Sequence, residues 1–393
     1  MDKPAKYTVT PPPYVKSHDT VTAMTADVLI ALLPAMILAV FTFGLRALVM
    51  TAVSVASCVT FEWLWTKLRR TPLTLGDLSC VVTGVLLAFL MPVAAPVWLP
   101  VIGAAFAVIV VKQLFGGLGK NLFNPALAGY VFLLLVFPQQ MTGFTHPRVA
   151  LPVLADAHAV TVRTPLMILR SGSAVGIDLW QLVLGQHAGA LGETATIALL
   201  AGGVYLLWRR VLKWRIPAAF IAVTALAALV FPQGGLDGVH YMAAAVCGGT
   251  LLLGAVFMAT DSVTSPVAPA AQWVYGAGCG LLTVLIRYRG SFPDGVAFAI
   301  LMMNALVWLL DKHLHPRDNR RMAETIERLR ARLPGGRRTA LLAADESVAA
   351  VTQETAREAE QVPAAEASET AQATQIDETE PSDDAQADQQ EGM

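Results

Sequence analysis

The sequence is poor in charge. Only 15% of its 393 residues are Asp, Glu, Lys or Arg, where a typical soluble domain carries about 25%. With 55% hydrophobic residues and a mean hydropathy of +0.56, such a chain reads as neither a soluble globular enzyme nor a disordered protein. A basic face is missing too: the formal net charge is -1, which argues against a nucleic-acid partner. Cysteine is scarce. Cys58, Cys80, Cys247 and Cys279 form no C-x-x-C pair, which speaks against an iron–sulfur cluster or a structural zinc. They read as small apolar packing residues. No small-residue cleavage site follows the first apolar run, so it reads as a retained membrane helix rather than a signal peptide.

The near-zero net charge hides an asymmetry. Residues 345–393 hold 14 acidic side chains and one basic one, Arg357, leaving 27 basic and 15 acidic residues in the body. A basic, apolar body therefore carries an acidic tail.

A bilayer core of about 30 Å takes roughly 20 apolar residues per helix. On that measure the sequence holds about ten transmembrane helices, at approximately 24–44, 47–66, 77–92, 97–115, 122–139, 193–209, 215–232, 240–259, 271–288 and 294–311. The fold class expected is an all-α integral membrane protein. Lys67, Arg69 and Arg70, then Arg209, Arg210, Lys213 and Arg215, then Lys312, Arg317, Arg320 and Arg321 all fall on one side of a ten-span topology. By the positive-inside rule that side is the cytoplasm, and both termini lie there. Arg287 and Arg289 fit this poorly, since they land outside. Thr83–Pro92 and Gly249–Thr260 are loosely alike and sit at matching places in two five-span halves. Such halves would be inverted with respect to each other.

Four regions follow: an N-terminal arm at 1–23, a membrane domain at 24–316, a basic amphipathic surface helix at 317–344 stopped by Pro334-Gly335-Gly336, and a disordered acidic tail at 345–393. The outer loop at 140–192 is too long for a simple connector, and function is the better reading.

Four segments stand out from the apolar background. The stretch 116–126 (GGLGKNLFNPA) opens span five. Its glycines, Gly117 and Gly119 among them, let the backbone approach a ligand. Asn121 and Asn124 both donate and accept hydrogen bonds. The stretch 258–266 (MATDSVTSP) sets Thr260, Asp261, Thr264 and Ser265 beside a membrane span, where an acidic residue is costly and points to function. For each, an ordinary capped turn is the competing reading. The stretch 156–166 in the outer loop reads by itself as ordinary loop. The fourth, 291–299, carries Pro293-Asp294-Gly295, a turn followed by a helix start.

Taken in order, these segments resemble the D subunit of the Rnf electron-transport complex and the related B subunit of the sodium-pumping NADH:quinone reductase. The resemblance rests on Ser17-His18-Asp19 ahead of DVLIALLPA at 27–35, GGLGKNLFNPALAGY at 116–130, MATDSVTSP at 258–266 and FPDGVAFAILMMNALVWLLD at 292–311, and covers roughly residues 12–315. It implies a ten-helix flavoprotein of the bacterial cytoplasmic membrane. FMN would be esterified through its phosphate to an outer-loop threonine, here Thr164 in Thr161-Val162-Arg163-Thr164-Pro165-Leu166. Riboflavin is a second flavin associated with the family. Val162-Arg163 stands where the family pattern has Gly-Ala; Arg163 would then pair with the FMN phosphate. Implied partners are the other subunits of an ion-translocating oxidoreductase, a flavin transferase and membrane lipid. NAD and ferredoxin would bind to those other subunits, and neither a catalytic side chain nor a metal is expected in this one. Asn121, Asn124, Gly117, Gly119, Thr260, Asp261, Thr264 and Ser265 become candidates for the second flavin or an ion path. A secondary transporter or channel, and a flavin-free structural subunit, are the competing readings.

Overall fold

In a bilayer no water can satisfy a bare backbone, so apolar runs of this kind fold as helices. The computed structural model describes residues 20–70, 74–149, 151–154, 161–172, 178–233 and 237–314. Most of the N-terminal arm, residues 155–160 of the outer loop, the expected surface helix and the acidic tail lie outside the described residues.

The helices are α1 (Val21–Phe43), α2 (Leu45–Arg69), α3 (Ser79–Leu90), α4 (Leu99–Ala105, continuing as a π-helix over Phe106–Gln113), α5 (Pro125–Val136), α6 (Pro138–Met141), α7 (Pro165–Arg170), α8 (Leu179–Leu184), α9 (Thr196–Trp208), α10 (Arg215–Val230), α11 (Gly238–Cys247), α12 (Leu251–Leu253, continuing as a π-helix over Gly254–Met258), α13 (Pro269–Arg289) and α14 (Val296–Leu314). Among the described residues there is no strand, only an isolated bridge between Pro92 and Ala190. The protein is thus an all-α, multi-pass membrane protein. Helices α1, α2, α13 and α14 are long and apolar enough to cross a membrane, and α11 with α12 would make a fifth, bent by 62°. The other expected spans are also helical, but short: α3, α4 with its π-helix, α5, α9 and α10 have 10–17 residues each.

Two breaks depart from the sequence expectation. The span expected at 240–259 is interrupted at Gly248-Gly249-Thr250, where Gly249 takes φ +80°. The helix expected at 77–92 stops at Leu90, before Met91-Pro92. A segment of the long loop turns back against that stop. Leu191 N–H donates to the Met91 carbonyl and Gly192 N–H to that of Phe89, which satisfies backbone groups a shortened helix leaves bare. The sixth span accordingly begins at Thr196 rather than at 193.

Small residues let the helices touch backbone to backbone, as membrane helices do when apolar lipid offers no hydrophobic drive. A Cβ at Gly84 of α3 would lie 2.6 Å from the Val55 Cα of α2, and one at Gly202 of α9 would lie 2.2 Å from the Ala31 carbonyl oxygen of α1. The poor fit of Arg287 to the charge rule has a physical reason. Its guanidinium is buried, donates to the Ala245 carbonyl (2.6 Å) and pairs with Asp294 (3.2 Å). It brackets the broken helix and is not a free loop charge.

Candidate functional site

Two polar sites lie at opposite ends of the bundle. One end carries Lys67, Lys213 and Lys312; the other carries the long loop.

At the basic end a cavity of about 340 Å³ opens between α1, α3, α5 and the π-helix before Ala259. That volume lies in the range of small-molecule sites. Gly119, Asn121, Asn124, Thr260 and Asp261 all line it, so the segments 116–126 and 258–266, far apart in sequence, meet in one place. The glycine run turns there with positive φ at Gly116, Gly117 and Gly119. Asn121 is buried; its Nδ2 donates to the Phe123 carbonyl (3.1 Å), while its Oδ1 has no partner. A buried acceptor left bare is costly unless something donates to it.

Asn124 is differently employed. Its Oδ1 caps α5 by accepting from Ala126 N–H (3.0 Å), and its Nδ2 donates to the Met258 carbonyl (3.3 Å). It shapes the wall by fastening the two segments together. Thr264 and Ser265 do not line the cavity; both are buried behind it. The Thr264 hydroxyl donates to Asp261 (3.2 Å), and Lys213 donates to Ser265 (3.4 Å). Gly117 is likewise set back from the wall. Burial pushes the Asp261 carboxyl up despite the Val263 N–H and Thr264 hydroxyl bonds, and pulls the Lys213 ammonium down, with Asp311 and Asp261 opposing.

Sequence reading missed Lys112 and Glu62. Lys112, in the π-helix after α4, lines the cavity and bonds to both Glu62 oxygens (2.9 and 2.8 Å) and to Ser79 Oγ (2.6 Å). The signal was available, since each is an ionisable residue within an apolar run.

At the loop end Thr164 is the N-cap of α7. Its hydroxyl accepts from Met167 N–H (3.4 Å), and Pro165 follows at the first helical position. Thr164 is buried, while Arg163 beside it is exposed. Thr164 faces a crevice of about 40 Å³ shared with Tyr130, Glu193, Thr250 and Asp294. The two carboxylates are already engaged. Glu193 accepts from Ala190 N–H (3.0 Å) and Gly249 N–H (2.7 Å), and Asp294 accepts from Thr250 N–H (2.8 Å) and from Arg287. Of the four notable sequence segments, two therefore build the basic-end cavity, and the other two, through Thr164 and Asp294, share this crevice.

A bundle of apolar helices broken around two polar sites defines a multi-pass membrane protein. The family model described as NQR2, RnfD, RnfE matches residues 8–320, and the chain belongs to that family. It is 41% identical over 309 residues to the D subunit of the Na⁺-translocating ferredoxin:NAD⁺ oxidoreductase complex of Acetobacterium woodii, covering 78% of this chain and 92% of that one. It is 35% identical over 326 residues to the D subunit of the proton-translocating ferredoxin:NAD⁺ oxidoreductase complex of Clostridium ljungdahlii, covering 79% and 95%. The D subunit of the ion-translocating oxidoreductase complex of Escherichia coli is 37% identical over 340 residues, covering 78% and 96%.

Proposed function

We propose that the chain is the membrane flavoprotein subunit of a redox-driven ion-translocating complex, with FMN on Thr164 and a second, noncovalent flavin in the basic-end cavity. The observation that carries the reading is that cavity, about 340 Å³ in volume and walled by the two polar segments, with Asn121, whose buried Oδ1 has no partner, among its lining residues. A flavin supplies one- and two-electron chemistry that side chains lack. The Asn121 amide, turned toward the cavity, would accept from a ring N–H, and Gly119 in the wall admits a flat ring close to backbone.

The residues around Thr164 suit a phosphate ester in a different way. The hydroxyl stands at the start of α7, and the exposed Arg163 beside it would meet the phosphate charge. The crevice there, at about 40 Å³, is too small for a flavin ring by comparison with ordinary ligand sites of about 300–1,000 Å³. The ring would lie at the surface, against a partner subunit. The basic end faces the cytoplasm of a bacterial inner membrane in this reading, and a flavin transferase loads Thr164 from the other side. Electrons relayed through the subunit drive sodium ions or protons across. The ion is not fixed by kinship, since relatives named for each share 41% and 35% identity with the chain.

The test is acid extraction of the purified complex. About one equivalent of flavin per subunit should be released from wild type, and much less from Asn121→Leu with assembly intact. No extractable flavin in wild type would contradict the cavity assignment.

A further inference from the structure

Lys112 and Glu62 form an ion pair with side chains 2% and 0% exposed. A buried pair of this kind is poor evidence for stability, because desolvation offsets the attraction, so its placement asks for another reason. The pair is asymmetric with respect to the basic-end cavity: Lys112 lines it and Glu62 does not. The acidic partners, Glu62 and Asp77, are absent from the cavity lining, whereas Lys112 and Ser79 are part of it. Thr74 donates to Glu62 (2.7 Å), and Ser79 accepts from Lys112 while donating to Asp77 (2.6 Å). The three bonds from Lys112 use all the donors an ammonium has. It therefore acts on an occupant through its field rather than by a hydrogen bond. Its position comes from the π-helix of Phe106–Gln113, an irregularity frequent at functional sites.

We propose that Lys112 is the charge-compensating residue of the cavity, and that the Lys112–Glu62 dipole, positive end inward, makes the noncovalent flavin easier to reduce. The proposal rests on the cavity being the flavin site. Each electron added to the ring adds one negative charge until a proton follows, and a positive pole at the wall favours that state. Asp261, a second ionisable residue, lines the same cavity, so the Lys112 contribution is read by difference between variants. At an effective dielectric near 20, removing Glu62 alone should shift the one-electron equilibrium on the order of tenfold, and removing both charges on the order of threefold in the opposite direction. These correspond to about 60 and about 30 mV.

The experiment is a dithionite titration, with redox mediators, of the purified complex in three forms: wild type, Glu62→Gln, and Glu62→Gln with Lys112→Met. The second variant removes both charges, so no lone buried ion is left to unfold the protein. Assembly is checked by size-exclusion chromatography. The potential of the extractable flavin should rise in Glu62→Gln and fall in the double variant, while that of the covalent flavin stays put. Unmoved potentials with flavin retained would overturn the role of Lys112 and leave the cavity assignment standing. Loss of the extractable flavin from an assembled double variant would make Lys112 a binding residue and also overturn it. Absence of extractable flavin from wild type would overturn the cavity assignment and the proposal with it.

Discussion

The side chain of Asn124 spans two segments 134 residues apart: its Nδ2 donates to the Met258 carbonyl at 3.3 Å while its Oδ1 caps α5. One amide thus sets both the start of a helix and the distance between the walls of the cavity. Asn124→Asp keeps the cap and loses the donor; Asn124→Ala loses both. The alanine variant should lose about 1 kcal/mol from the cap alone and about as much again from the bare Met258 carbonyl. Thermal unfolding in detergent should rank both variants below wild type, the aspartate because it sets a buried carboxylate oxygen against the Met258 carbonyl. Equal melting of all three would mean the bridge contributes nothing.

The Arg287–Asp294 pair holds the broken helix from the loop end. Arg287→Met leaves Asp294 a partly buried carboxylate, its side chain 18% exposed, without its cation, a change that should cost less than the roughly 3–5 kcal/mol of a fully buried pair. Adding Asp294→Asn removes the stranded charge. The double variant should therefore be more stable than Arg287→Met, and a double-mutant cycle on thermal stability measures the coupling.

His187 lies in the long loop, and burial pulls its imidazole down to about 4, only partly offset by the Gln181 backbone. An unfolded histidine titrates near 6.5, so between these values the unfolded chain binds the extra proton. Stability is then full above about pH 6.5 and falls as pH drops toward 4, by at most about 3 kcal/mol. Unfolding measured from pH 7.5 to 4.5 should show this slope in wild type and a flatter one in His187→Gln. Parallel slopes would remove His187 as the cause.

Gly202 is the contact between α9 and α1. A side chain there would meet the Ala31 carbonyl oxygen at 2.2 Å, which neither backbone can relieve without the helices parting. Gly202→Val should cost at least about 1–3 kcal/mol. Because α1 also lines the cavity, extractable flavin should fall in parallel with the melting temperature. Gly44, which has no neighbour within 4 Å of its would-be Cβ but a φ of +75°, is the contrasting site, where valine strains only the turn.

Local chemistry was legible in the sequence, and its assembly was less so. Asn124-Pro125 reads as a cap followed by a first-turn proline, and the structure has that geometry. Thr164-Pro165 has it as well. The helical character of the ten apolar runs follows from composition alone. The break at Gly248-Gly249-Thr250 was hidden within a continuous apolar stretch, since hydropathy does not register a change of direction. The Lys112–Glu62 pair spans 50 residues, and no periodicity links its members. Asn121 and Asn124 looked alike in sequence, and only their surroundings separate a committed cap from an amide with a bare acceptor.

The proposed flavin on the Thr164 hydroxyl is the part of the functional reading with the most direct readout. In-gel flavin fluorescence of the denatured chain, co-expressed with a flavin transferase, tests it most directly. Wild type should give a fluorescent band at the mass of this chain, about 41.8 kDa, and Thr164→Ala should give none at equal protein load. A band that persists in Thr164→Ala, or no band in wild type, would contradict the assignment.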